Sequence, residues 1–422
     1  MAQSNVQSKV FRVDQFQNPE LPAERREALE QLESQPVELT VEAIEGAAKE
    51  QTGLSDFGSE DYRPRLKRLL DEVSANENVW AEAKQRFKKQ CIKAAANRLR
   101  NQEYCKKFPE ISGIEIEQPI FITGLPRSGT THLENLIAAD RRLRYLPVYL
   151  GSESTPKPGE AVVDGEADPR WKRADAHWQQ MKSNPIIAAM HEHSPNHACG
   201  ENELQIPDFA SYQWEWMADV PKWRDYYLQE DQTPHYRYGK RILQTIMHQF
   251  PDDRRWILKG NAQAEQLLPL MNVYPDATIV MTHRDPLAIL QSVLTMRGLA
   301  VLAHQKKPNI QAHVNYWVDR IELMLKSYMR DMASVPQSQR VDLLFQDVMA
   351  DDIGTAQSVL QKAGLVPTEE SKSDMRSYME NHPRGRDGRV VYDLAGNFDL
   401  DVDKLRDRFR FYTDAFSVKH EV

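Results

Sequence analysis

The sequence predicts an α/β protein with a central parallel sheet flanked by helices, joined to an N-terminal helical subdomain. Three observations carry that expectation. Apolar runs at Ile120 to Ile122, Trp256 to Leu258 and Ile279 to Met281 lack polar alternation, as strands do when both faces are covered. Each run is followed by a loop and then by residues at helical spacing, the alternation that builds parallel sheets. Residues 22–100, by contrast, show only amphipathic helical patterning.

Length and composition bound the rest. A chain of 422 residues buries a large core. A net charge of -8 with 27% charged residues leaves no global basic field, so no nucleic-acid partner is expected, and an anionic ligand needs a local basic pocket. The three cysteines, Cys91, Cys105 and Cys199, lack framework spacing, which suits a reducing compartment. The N-terminus has no apolar signal core, and no run approaches the ~20 apolar residues of a membrane span. A cytoplasmic protein without a transmembrane segment is expected.

Residues 1–20 are polar and irregular, an arm. Residues 21–115 form the helical subdomain, with Thr40 as an N-cap and Gly53 as a C-terminal stop, and serve as a packing platform. Residues 116–422 form the α/β domain. Its first unit, Gln118 to Asp140, reads as strand, glycine loop and helix. That plan aims backbone N–H groups and a helix N-terminus at an anion. Arg127 adds charge, and Ser128, Thr130 and Thr131 add hydroxyls. The loop resembles the Walker A pattern, but no Lys follows Gly129, which disfavours a nucleoside triphosphatase.

Tyr145 to Pro158 reads as a loop on the ligand side, with Glu153 in it. His191, His193, His197 and Cys199 invite a zinc reading, yet neither HExxH nor paired CxxC is present, so no metal is expected. Aromatic residues crowd the stretch from Phe209 to Tyr238, most of them as core. Lys259 ends the second strand, where ligands bind in open parallel sheets. After the third strand, Arg284 and Ser292 stand eight apart, at a strand end and two turns into the following helix, so both can face one anion. Residues 341–348, VDLLFQDV, read as a fourth strand, and residues 382–394 as a Gly- and Arg-rich loop.

Three separated motifs, GLPRSGTT at 124–131, HRDPLAILQS at 283–292 and the loop at 384–389, together resemble the sulfotransferases that use 3'-phosphoadenosine 5'-phosphosulfate (PAPS). The resemblance is to the bacterial-type branch with a GLPR(S/T)GTT loop and runs from about residue 39 to the C-terminus. It implies a P-loop-like sulfotransferase architecture. It also implies that the chain transfers the sulfuryl group of PAPS to a hydroxyl of a small or lipid-like acceptor, leaving adenosine 3',5'-bisphosphate. In this reading Gly124, Pro126, Arg127, Ser128, Gly129, Thr130 and Thr131 hold the 5'-phosphosulfate. Arg284 and Ser292 hold the 3'-phosphate, and Arg384, Arg386, Gly388 and Arg389 close over the nucleotide. Lys259 sits near the transferred group. The general base comes from Glu201 or Glu203, with Glu153 and His197 as rivals. The chain departs from common family patterns at Arg127, often Lys, at His132, often Trp, and after Lys259, where GNAQ replaces SP. Homo-oligomer formation stays open, as do two other readings: a P-loop-like nucleotide kinase and a non-catalytic nucleotide-binding relative.

Overall fold

The apolar runs pair side by side in a computed structural model that describes residues 9–422 apart from 14, 18 and 20. The strands among the described residues are β1 (Val10–Arg12), β2 (Ile120–Gly124), β3 (Leu143–Arg144), β4 (Arg255–Lys259), β5 (Thr278–His283), β6 (Arg340–Leu344) and β7 (Arg389–Val391). Five of them form one sheet in the order β3-β4-β2-β5-β6, parallel throughout. Ile120 registers with Ile257 on one side and Thr278 on the other. The chain leaves β2 for the β3 edge, returns through β4, and then crosses to β5. The strand order therefore reverses around β2, and the crevice outside its carboxyl end is where such sheets bind ligands.

Both faces of the sheet are covered, as the unbroken apolar runs require. Ile120 and Ile122 pack with Leu133, Leu136, Val359 and Leu360 on one face. Phe121, Ile279 and Met281 face Leu243, Ile246 and Tyr274 on the other, following the two-residue alternation of a strand.

The platform helices are Ala23–Leu32, Val41–Thr52, Tyr62–Ala75 and Ala81–Lys107. Thr40 accepts a hydrogen bond from the Ala43 N–H at 3.1 Å, and Gly53 closes the same helix at φ 69°. Their apolar faces share a core with Phe209, Trp214, Trp223 and Tyr227, so these rings of the aromatic stretch are packing groups. Buried Arg65 and Arg98 add charged bonds to Asp208 at 3.1 and 2.8 Å.

Several expectations change. The fourth strand stops at Leu344, and Phe345–Ala350 is a helix. The edge strand β3 escapes sequence reading because it is two residues long and polar at Arg144, whose guanidinium lies 4.3 Å from the Trp256 ring centre. Of the N-terminal arm, residues 1–8 lie outside the described residues, and Val10–Arg12 pairs in parallel with β7. Contrary to expectation, one helix, Pro286–His304, is long and apolar enough to span a membrane by length and composition. Its most apolar window is 67% buried, packed on Trp317, Ile321 and Leu325, so its apolarity is that of a core helix.

Candidate functional site

The loop after β2 turns back on itself through three residues in the left-handed region: Gly124 at φ 148°, Arg127 at φ 70° and Gly129 at φ 85°. A Cβ on Gly124 would stand 2.3 Å from Thr282 Oγ1, so only glycine lets β2 and β5 close there. Pro126 is buried within the turn. The helix that follows, Thr130–Ala138, has no side-chain cap. The first-turn N–H groups of Thr130, Thr131 and His132 are thereby left for an anion. Ser128 behaves differently from expectation. Its hydroxyl donates to Leu125 O at 2.6 Å and meets Thr282 Oγ1 at 2.7 Å, so it braces the loop against β5 and is spent inside the protein.

The two arginine motifs meet. Arg127 Nε donates to Ser292 Oγ at 2.9 Å, and its NH1 to Met190 O at 2.7 Å. Arg284 NH1 donates to Arg127 O at 2.7 Å. Ser292 in turn donates to Tyr392 OH at 3.0 Å, a site residue that sequence reasoning missed because nothing local marks it. The guanidinium of Arg284 is engaged by the Glu421 carboxylate, with contacts of 2.7 to 3.1 Å, and stacks 4.0 Å from the Phe345 ring centre.

Lys259, buried at the end of β4, donates to Thr131 Oγ1 at 3.2 Å. The loop after it is pinned to β2: Gly260 N donates to Ile122 O at 3.1 Å and Asn261 Nδ2 to Gly124 O at 2.7 Å. Glu134, one turn beyond Thr131, is fully buried with neither carboxyl oxygen hydrogen-bonded. Burial pushes its carboxyl up to about 8, partly offset by the charge of Lys259.

The acidic pair splits. Glu201 is buried, accepts only from Gln263 Nε2 at 3.2 Å, and lies against Gly239, where a Cβ would come within 3.2 Å of its Oε1. Burial raises its carboxyl to about 7. Glu201 thus faces the helix Thr233–Gln249, and among the described residues no ammonium offsets its burial. Glu203 is only partly buried; burial raises its carboxyl, and the charges of Lys93 and Lys259 lower it. Of the rivals, Glu153 is held by Arg173 at 2.7 Å. His197 approaches Glu192 at 3.5 Å and Asn135 at 3.4 Å, and burial keeps its imidazole down to about 4. His191 and His193 stack with ring centres 4.2 Å apart. Among the described residues no three His, Cys, Asp or Glu side chains gather as metal ligands.

The Gly/Arg loop is tied down by carboxylates rather than standing free. Arg384 pairs with Asp352, which also holds His132 at 2.8 Å, and Arg386 pairs with Glu192. Gly388 sits at φ 111° with a would-be Cβ 2.5 Å from the Phe11 ring, and Arg389 is exposed in β7.

The fold is shared with known proteins. Sulfotransferase STF1 from Mycobacterium tuberculosis superposes with a TM-score of 0.75 at 27% identity, over 88% of this chain and 98% of that one. Sulfotransferase STF9 from Mycobacterium avium superposes at 0.81 with 21% identity, over 91% and 98%, a likeness of fold. No curated protein sequence matches the chain. The model of the sulfotransferase family matches residues 119–370, which include the glycine loop, Lys259, Arg284 and Ser292. That match spans more than half of the sequence, and the chain belongs to the sulfotransferase family.

Proposed function

We propose that the chain transfers the sulfuryl group of PAPS to a hydroxyl of a small or lipid-like acceptor. The observation that carries this reading is a pair of cationic stations at the switch point. One is the uncapped helix start beside Lys259, and the other is Arg284, joined to the first through the Arg127 carbonyl at 2.7 Å. A ligand with anions at both its 5' and 3' ends suits two stations; a nucleoside triphosphate suits one. The first-turn amides, Arg127, Thr130, Thr131 and Lys259 hold the 5' end. Arg284 and Ser292 hold the 3'-phosphate once Arg284 exchanges the Glu421 carboxylate for it. Arg384, Arg386 and the turn at Gly388 cover the nucleotide, with Arg389 beside them.

Bound PAPS supplies an activated sulfuryl group on a phosphate leaving group. The protein's part is to align an acceptor oxygen with that group and to neutralise charge growing on the departing phosphate. Lys259 and the helix start do the second. Glu203 takes the hydroxyl proton as the acceptor oxygen bonds to sulfur; the electron pair of the breaking S–O bond leaves with the phosphate. Burial raises the carboxyl of Glu203, and the charges of Lys93 and Lys259 work against that rise.

Calorimetry with adenosine 3',5'-bisphosphate tests the reading. The parent binds, and Arg127→Ala and Arg284→Ala each weaken binding by about 2 to 5 kcal/mol, as loss of a charged anion contact does. Equal binding by parent and both variants rejects it. Incubation with labelled PAPS and a cell extract then identifies the acceptor.

A further inference from the structure

The bond between Ser292 and Tyr392 joins the helix Pro286–His304 to the chain just after β7. Its polarity is set from one end. A guanidinium only donates, so Arg127 Nε gives its hydrogen to Ser292 Oγ at 2.9 Å, and Ser292 gives its own to Tyr392 at 3.0 Å. The Tyr392 hydrogen is then the one left at the end of the row, and among the described residues that hydroxyl donates to none. Tyr392 is half-buried and keeps part of its surface. Arg284 belongs to the same group, since its NH1 donates to the carbonyl of that same Arg127 at 2.7 Å. A guanidinium and two hydroxyls, from three separate places in the chain, are thus gathered around one loop residue.

The N-terminal segment holds Tyr392 in that place. Val10–Arg12 pairs along Arg389–Val391, and Arg389 N donates to Lys9 O at 2.8 Å. Phe11 covers Gly388, whose missing side chain lets the ring come that close. Farther along, Val13 O accepts from Asn397 Nδ2 at 2.6 Å, and the Phe16 ring stacks on Phe398 with centres 4.9 Å apart. The same Phe16 ring covers Gly298, on the helix that carries Ser292, where a Cβ would come within 2.6 Å of it. The segment therefore touches both elements whose hydroxyls meet. A two-stranded ribbon of three residues is marginal by itself, and buried Val13 and Phe16 fasten this one to the core.

We infer that Tyr392 is a specificity-determining residue that donates its hydroxyl to the 3'-phosphate of the donor nucleotide, and that the N-terminal segment, through Phe11, positions it. The inference rests on the reading of Arg284 and Ser292 as the 3'-phosphate station. A dianionic phosphate offers only acceptor oxygens, which suits a guanidinium and two hydroxyl donors. A nucleotide with a bare 3'-hydroxyl has no such oxygens to receive them. Tyr392 therefore strengthens the binding of one nucleotide and not of the other, which is what discrimination requires. The N-terminal segment, distant in sequence from every phosphate-binding motif, becomes part of the nucleotide site.

Calorimetry on the full chain compares adenosine 3',5'-bisphosphate with adenosine 5'-monophosphate, which lacks only the 3'-phosphate. The parent prefers the bisphosphate. Tyr392→Phe keeps the ring, weakens bisphosphate binding about tenfold, as loss of a hydrogen bond to a charged group does, and leaves monophosphate binding unchanged. Phe11→Ala lowers the preference in the parent and has no further effect on it in Tyr392→Phe, because both changes act on one contact. Equal weakening of the two nucleotides in Tyr392→Phe would mark a merely structural role and overturns the inference, as does an unchanged preference. A Phe11→Ala effect that is absent, or of the same size in both backgrounds, overturns the part given to the N-terminal segment. A parent that binds the two nucleotides alike has no 3'-phosphate station, and the PAPS reading falls. A parent that prefers the bisphosphate, with Tyr392→Phe keeping the whole preference, upholds that reading and overturns this inference alone.

Discussion

Glu134 shows how one residue can set a pH dependence for the whole chain. Its carboxyl is fully buried, has no hydrogen-bond partner, and titrates at about 8 in the folded protein against 4.5 for an ordinary glutamate. The folded state therefore keeps a proton that the unfolded state releases, so stability from this site is complete below about pH 4.5 and is lost as pH rises through about 8. Glu134→Gln removes the titration while keeping the shape. Thermal or urea unfolding should find the variant close to the parent near pH 4.5 and more stable by on the order of a few kcal/mol at pH 9. Equal pH slopes for the two proteins would sink this account. The residue scale also explains why Ser128 and Arg284 differ from a reading of their types. A hydroxyl or a guanidinium takes whichever partner the fold supplies, and here those partners are Thr282 and Glu421, distant in sequence.

Among the elements, the final segment after the helix Val402–Phe416 has the clearest mechanical consequence. Glu421 N donates to Asp285 Oδ2 at 2.7 Å, while its carboxylate grips Arg284. Arg406 pairs with the same Asp285 at 2.6 Å. The segment roofs a cavity of about 330 Å³ formed by Arg284, Phe345, Gln346 and Met349. A phosphate arriving at Arg284 must displace a carboxylate, so Glu421→Gln should tighten bisphosphate binding several-fold by calorimetry, with a smaller gain at high salt where the ion pair is already screened. Unchanged or weaker binding would mean that Arg284 opens without cost or lies outside the phosphate site. The glycine loop, by contrast, was legible as an element. Strand, Gly124, Gly129 and helix follow one another within the range of local rules, and all appear where expected.

For the whole molecule, separated segments of the sheet domain are locked together by buried charge as well as by apolar packing. Arg320 in the helix Ile310–Asp331 is fully buried and holds Glu215 at 2.8 Å and Glu265 at 2.6 Å, drawing three separated segments to one point. Arg320→Met would strand two buried carboxylates and should cost about 3 to 5 kcal/mol in urea unfolding, easing at acidic pH as they take up protons. A cost below about 1 kcal/mol would show that the site relaxes or hydrates. What the sequence by itself determined was everything written in local period and spacing: the apolar strands Ile120 to Ile122, Trp256 to Leu258 and Ile279 to Met281, the cap at Thr40, the glycine loop, and the eight-residue step from Arg284 to Ser292. These depend on backbone geometry and on burial of both sheet faces, which neighbouring residues report. Only the tertiary structure decided that Arg127 reaches Ser292, that Tyr392 bonds Ser292 and Glu421 pairs with Arg284, that Glu201 turns inward against Gln263 and Gly239, and that β3 extends the sheet. Such contacts join residues tens to hundreds of positions apart, and their partners are chosen by packing and by the need to satisfy buried charge, neither of which leaves a local period to read.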